Sequence, residues 1–143
     1  MLVTINSSKL TRLHFSQYSI GYFNMLFYAL FRNDPRTVAV RAGAPLFRQD
    51  DPADLMYVLI KGEARIVIGR REVERLAPGA IAGELALIDR EPRSATVEAV
   101  TDCEFVCVDQ KRFKFLVAET PGFAVGVMST MARRLRNADM LIA

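Results

Sequence analysis

The chain has 143 residues, of which 51% are apolar and 24% charged, with a formal net charge of +3. That length suits one domain with a normal core, and the composition argues against a disordered chain. The small positive surplus forms no block, which argues against a nucleic-acid tail, and the lone histidine, His14, argues against His-based metal sites and His general-base catalysis.

Residues 15–31 carry no charge and hold seven of the 13 aromatic side chains. Phe23, Phe27 and Phe31 recur at i, i+4 and i+8 with Leu26 and Leu30 beside them, which predicts a helix with a wide apolar face. Packing on the domain or on a twin subunit, contact with a membrane, and a poorly ordered extension are the competing readings. As a helix the segment would reach about 25 Å, short of the ~30 Å hydrocarbon core of a bilayer. No signal-peptide cleavage pattern follows it.

Asn33-Asp34-Pro35 breaks the helix, and short β-prone runs follow between turn residues. The expected strands are 37–41, 46–48, 55–60, 64–68, 72–76, 95–100 and 103–108, with a hairpin tip at Gly69-Arg70. This spacing indicates a closed sandwich or barrel. Cys103 and Cys107 share the last strand. Four residues of strand span about 13 Å, beyond the ~7 Å Cα separation that a disulfide allows, so they read as small buried hydrophobes in a reducing, cytoplasmic setting.

Two helices close the chain. Asp109 can cap the first, which carries Phe113, Leu116 and Val117 at helical spacing. The second runs from about Phe123 to Asp139. Val127, Met131 and Leu135 share its apolar face beside Ala124 and Met128, and Arg133, Arg134 and Arg136 read as a solvated charge cluster.

Between strands and helices lies the stretch 78–97, PGAIAGELALIDREPRSATV. Gly83 admits close backbone approach, the next residues can open a helical turn with free N–H groups, Arg93 adds a forked cation, and Glu84 can accept from sugar hydroxyls. Together they suit a sugar phosphate.

Residues 36 to 139 resemble the cyclic nucleotide-binding domain family, the module of bacterial catabolite activator proteins, protein kinase A regulatory subunits and cyclic-nucleotide-gated channels. The resemblance rests on ordered segments: Ala42-Gly43, Leu46-Phe47-Arg48-Gln49, Tyr57-Val58 through Lys61-Gly62-Glu63, Pro78-Gly79, Gly83-Glu84-Leu85-Ala86-Leu87 and Pro92-Arg93-Ser94-Ala95-Thr96. It implies a mainly β fold: an eight-stranded antiparallel β-roll of jelly-roll type with an N-terminal helix and two C-terminal helices. The domain would cover residues 36–143, with the roll at about 36–109 and the helices at about 110–139, after an N-terminal segment at 1–35.

Carried over by position, the resemblance implies that Arg93 pairs with the cyclic phosphate and Glu84 accepts from the ribose 2′-hydroxyl. Gly83, Leu85, Ala86 and Ala95 would offer backbone N–H groups, and Ser94 a hydroxyl. Ala82 replaces a usual aromatic, and Asp50 a usual turn glycine. The implied ligand is cyclic AMP or cyclic GMP, with no cofactor, metal or catalysis. The C-terminal helix would act as a lid, with Val127, Met128, Met131 and Leu135 as candidates to cover the base or contact the roll. With no DNA-binding domain in the chain, the expectation is a stand-alone sensor that reports to a protein partner or a homodimer. The alternative is a ligand-independent interaction module with a degenerate pocket.

Overall fold

Strand β3 (Leu55–Lys61) is the layer on which both cores meet. Its side chains alternate between faces, as a strand requires. Met56, Val58 and Ile60 join one apolar cluster with the helices, while Leu59 joins a second cluster between the sheets. Burial on both faces explains why this run reads as continuously apolar rather than alternating. The computed structural model describes residues 21–142, with side chains through residue 138.

The other strands are β1 (Thr37–Val40), β2 (Pro45–Phe47), β4 (Ala64–Ile68), β5 (Arg71–Leu76), β6 (Ile81–Ala82), β7 (Thr96–Ala99) and β8 (Cys103–Asp109). They form two four-stranded antiparallel sheets ordered β1-β8-β3-β6 and β2-β7-β4-β5, the eight-stranded roll expected from the sequence. The two-residue β6 went unread in the sequence. It pairs Ile81 with Val58 and Ala82 with Tyr57, so the chain enters the 83–95 stretch directly from the sheet. Asp50 takes a left-handed φ of 73°, as its short polar side chain permits. Ala82 is buried, and Cys103 and Cys107 are free thiols.

Four helices are described: α1 (Tyr22–Phe31), α2 (Ala86–Asp89), α3 (Gln110–Glu119) and α4 (Pro121–Ile142). Phe23, Phe27 and Phe31 are buried as their spacing predicted, whereas Leu30 is exposed. The expected helical residues 15–20 and His14 lie outside the described residues. The α1 rings meet Phe123 on α4 edge-on: the Phe123 centroid lies 5.7 Å from Phe27 and 6.1 Å from Phe31, with Phe113 of α3 at 5.8 Å. Gly126 brings α4 close to α1, since a Cβ there would sit 2.7 Å from Phe27 Cζ. Asp109 caps α3 by accepting from Arg112 N at 2.8 Å. Val117, expected on the α3 apolar face, is exposed. No single helix among the described residues is long and apolar enough to cross a membrane.

Candidate functional site

The site begins where β6 ends. Gly83 holds a φ of +76°, and a Cβ at that position would overlap the Arg93 guanidinium. Glycine is therefore needed both for the backbone conformation and for the space. Glu84 and Leu85 follow, and Leu87 N donates to Glu84 O at 3.2 Å to start the short α2 turn. The N–H groups of Leu85 and Ala86 come before that first bond and have no acceptor within the turn. Arg90 ends α2 at a left-handed φ of 59°, which turns the chain back toward Arg93.

Arg93 is fixed from three sides. Its backbone N donates to Asp51 O at 2.9 Å, and its carbonyl accepts from Asp50 N at 2.8 Å. Its guanidinium lies 4.0 Å over the Phe47 ring and 5.7 Å from that of Tyr57. Nη1 donates to Gly83 O at 3.3 Å, while Nε is buried with no partner. Burial depresses its pKa below the ordinary arginine range, only partly offset by Tyr57, Asp54, Asp51 and Glu84. A buried cation with an idle donor is a strained arrangement unless an anion completes it.

A cavity of about 730 Å³ opens beside these groups. All seven residues singled out in the sequence, Gly83, Glu84, Leu85, Ala86, Arg93, Ser94 and Ala95, line it. Its opposite wall is apolar: Ile66, Ile68 and Val73 from the roll, and Met128, Met131 and Leu135 from α4. Val127 takes the other of the two roles expected for this face: it contacts the roll, in the core between the helices and β3. Met128 and Leu135 are 59% and 65% exposed, so the apolar face of α4 turned to the cavity is uncovered.

One group of residues was misread in the sequence. Arg133 and Arg134 are not a solvated cluster: their side chains are only 23% and 16% exposed. Arg134 Nη1 donates to Glu84 Oε1 and Oε2 at 2.9 and 3.0 Å. Its Nε and Nη2 donate to Glu74 on β5 at 3.0 and 3.2 Å, and Nη2 also donates to Ile81 O at 2.7 Å. Arg133 pairs with Glu74 as well, at 3.3 Å. Burial works against the Arg134 charge, but the Glu84 and Glu74 carboxylates outweigh it and raise its pKa. The Glu74 carboxyl is held below its ordinary value of 4.5, burial being outweighed by Arg134 and then Arg133. The missed signal was periodicity: Arg134 stands seven residues after Val127, on the same buried stripe. Among the described residues, no group of His, Cys, Asp and Glu is placed to hold a metal ion.

Comparison with known proteins gives one family. The model of the cyclic nucleotide-binding domain matches residues 37–120. The cyclic AMP receptor protein of Thermus thermophilus is 33% identical over 103 residues, covering 68% of this chain and 48% of that protein. The crystal structure of the Thermus thermophilus catabolite activator protein superposes with a TM-score of 0.67 at 29% identity, over 82% of this chain and 56% of that one. The regulatory domain of Toxoplasma gondii protein kinase A, crystallised with cyclic AMP, gives a TM-score of 0.61 at 25% identity, over 80% of this chain and 51% of that one. The chain spans about half or less of the length of the curated relatives it matches.

Proposed function

The chain belongs to the cyclic nucleotide-binding domain family, and on that premise we propose that it is a sensor that takes cyclic AMP or cyclic GMP in the 730 Å³ cavity and reports occupancy through α4. The observation that carries this reading is Arg93, a buried guanidinium with an unpartnered Nε on the cavity wall. A cyclic phosphodiester carries one negative charge. Of the charged groups that line the cavity, Arg134 is ion-paired with Glu74 and Glu84, whereas Arg93 makes no ion pair among the described residues, which leaves its charge for the phosphate. The phosphate completes Arg93 and takes the N–H groups of Leu85, Ala86 and Ala95, and the Ser94 hydroxyl.

Glu84 accepts from the ribose 2′-hydroxyl while Arg134 stays on it, since a carboxylate has about four lone-pair sites and Arg134 brings a single nitrogen. The base lies against Met128 and Leu135. Their burial favours the form with α4 closed over the ligand, and this differential affinity is what lets a ligand shift a conformational balance. The same α4 face would carry the signal to a protein partner or a second copy of the chain. The role is regulatory rather than catalytic.

A second reading, an interaction module that needs no nucleotide, draws support from the ion pair that Glu84 makes with Arg134 of the same chain. Titration calorimetry with cyclic AMP, cyclic GMP and linear AMP separates the two. The sensor reading expects binding of a cyclic nucleotide over linear AMP. It also expects Arg93→Ala to weaken that binding by roughly 2–5 kcal/mol, as when one partner of a buried charge pair is removed. Absence of binding, or equal affinity in wild type and Arg93→Ala, overturns it.

A further inference from the structure

Glu84 meets a competitor for its ribose contact inside the same cavity. Arg134 is a planar fork able to place two parallel N–H groups on one carboxylate. It does not do so here. Only Nη1 reaches Glu84, while the edge formed by Nε and Nη2 is taken up by Glu74 at 3.0 and 3.2 Å. Glu74 comes from β5, ten residues earlier in the chain and outside the 83–95 stretch. It lines the cavity with Glu84 and Arg134, and Arg133 braces it from α4.

We propose that Glu74 is a positioning residue for ribose recognition: by occupying the two-pronged edge of Arg134, it keeps Glu84 open to the 2′-hydroxyl of the nucleotide. The inference rests on the sensor reading above. With Glu74 neutralised, the Nε edge of a buried guanidinium loses its charged partner. The nearest carboxylate is then Glu84, already 2.9 Å from Nη1. The fork turns onto it and adds a second N–H to the two oxygens that Nη1 already touches, which draws the carboxylate toward Arg134 and leaves it a weaker acceptor for the ribose hydroxyl. Glu74 acts through Arg134 and Glu84 rather than on the phosphate, so its removal is felt at one hydroxyl of the ligand.

The test is the affinity ratio between a cyclic nucleotide and its 2′-deoxy analogue, measured by calorimetry on the full chain with cyclic AMP and 2′-deoxy cyclic AMP, or the guanine pair if that binds better. A hydrogen bond to a charged group predicts a preference of about tenfold or more for the ribose form in the wild type. In Glu74→Gln the ratio falls to about twofold, through weaker binding of the ribose form and little change for the deoxy form. Glu74→Asp keeps the charge one methylene short and restores part of the ratio; it carries the measurement if the Gln variant unfolds. An unchanged ratio in Glu74→Gln, or in Glu74→Asp where the Gln variant unfolds, including one in which both ligands weaken equally, overturns the inference and leaves Glu74 a structural brace. No cyclic-nucleotide binding by the wild type overturns the sensor reading and the inference with it, whereas binding with an unchanged ratio overturns the inference alone.

Discussion

Arg93 and Gly83 form one unit at the scale of single residues. The guanidinium can lie over Phe47 and donate to Gly83 O only because position 83 has no Cβ. Gly83→Ala therefore does two separable things. It places a residue with a Cβ in a left-handed conformation, destabilising the fold by about 1–2 kcal/mol. It also pushes Arg93 off its seat, which urea denaturation registers weakly but ligand binding registers fully. The expected outcome is a modest fall in unfolding free energy together with a loss of cyclic-nucleotide affinity of about tenfold or more. A fall in stability with affinity unchanged would mean that Arg93 adapts to the added methyl. The same pair shows what local sequence carries: both residues belong to a contiguous motif and were legible without a structure. Glu74 and Arg134 were not, because their contact spans 60 positions and no local pattern records a long-range ion pair.

At the scale of elements, α4 shows how a helical stripe misleads over distance. Val127, Met131 and Leu135 look like one face, yet steps of four residues drift about 40° each on a helix of 3.6 residues per turn. Val127 is accordingly 2% exposed, Met131 only packs against the core edge, and Leu135 has turned out to 65% exposure. Steps of three and four lead instead to Thr130, which is buried, and to Arg134, which is partly buried. The strands were legible wherever period-two alternation ran five residues or more, as in β4, while β6 was too short to show any period. The helix start is pinned by Gly126, whose added Cβ would meet the rings of Phe27 and Phe23 at 2.7 and 2.8 Å. Two effects compete in Gly126→Ala: helix propensity gains up to about 1 kcal/mol, and overpacking loses about 1–3 kcal/mol. The ring atoms belong to fully packed side chains, so overpacking wins, with a net loss of about 1 kcal/mol by urea denaturation. A gain in stability would show that α1 and α4 separate freely.

At the scale of the whole molecule, two acidic clamps hold the helices in place, one to the roll and one to each other. One is Glu74 on β5, holding Arg133 and Arg134 of α4. The other is Asp34, just beyond α1, which pairs with Arg112 of α3 while that guanidinium lies 5.0 Å over Phe31. Both carboxyls are held below their ordinary values of 4.5 and 3.8. For Glu74, burial is outweighed by Arg134 and Arg133; for Asp34, burial is outweighed by hydrogen bonds from the Arg36 backbone, Arg112 and Arg36. A carboxyl whose folded pKa is depressed contributes stability that is complete above its unfolded pKa and is lost as pH falls through the folded one. The clamps therefore hold fully at neutral pH and release from about pH 4.5 downward. Urea denaturation at stepped pH should show stability falling over that range in the wild type. Asp34→Asn with Glu74→Gln should start lower at neutral pH and follow a flatter slope, because the groups that must take up protons on unfolding are gone. Parallel slopes in the two proteins would place the acid sensitivity elsewhere, and α4 would then be held to the roll by its apolar contacts rather than by charge.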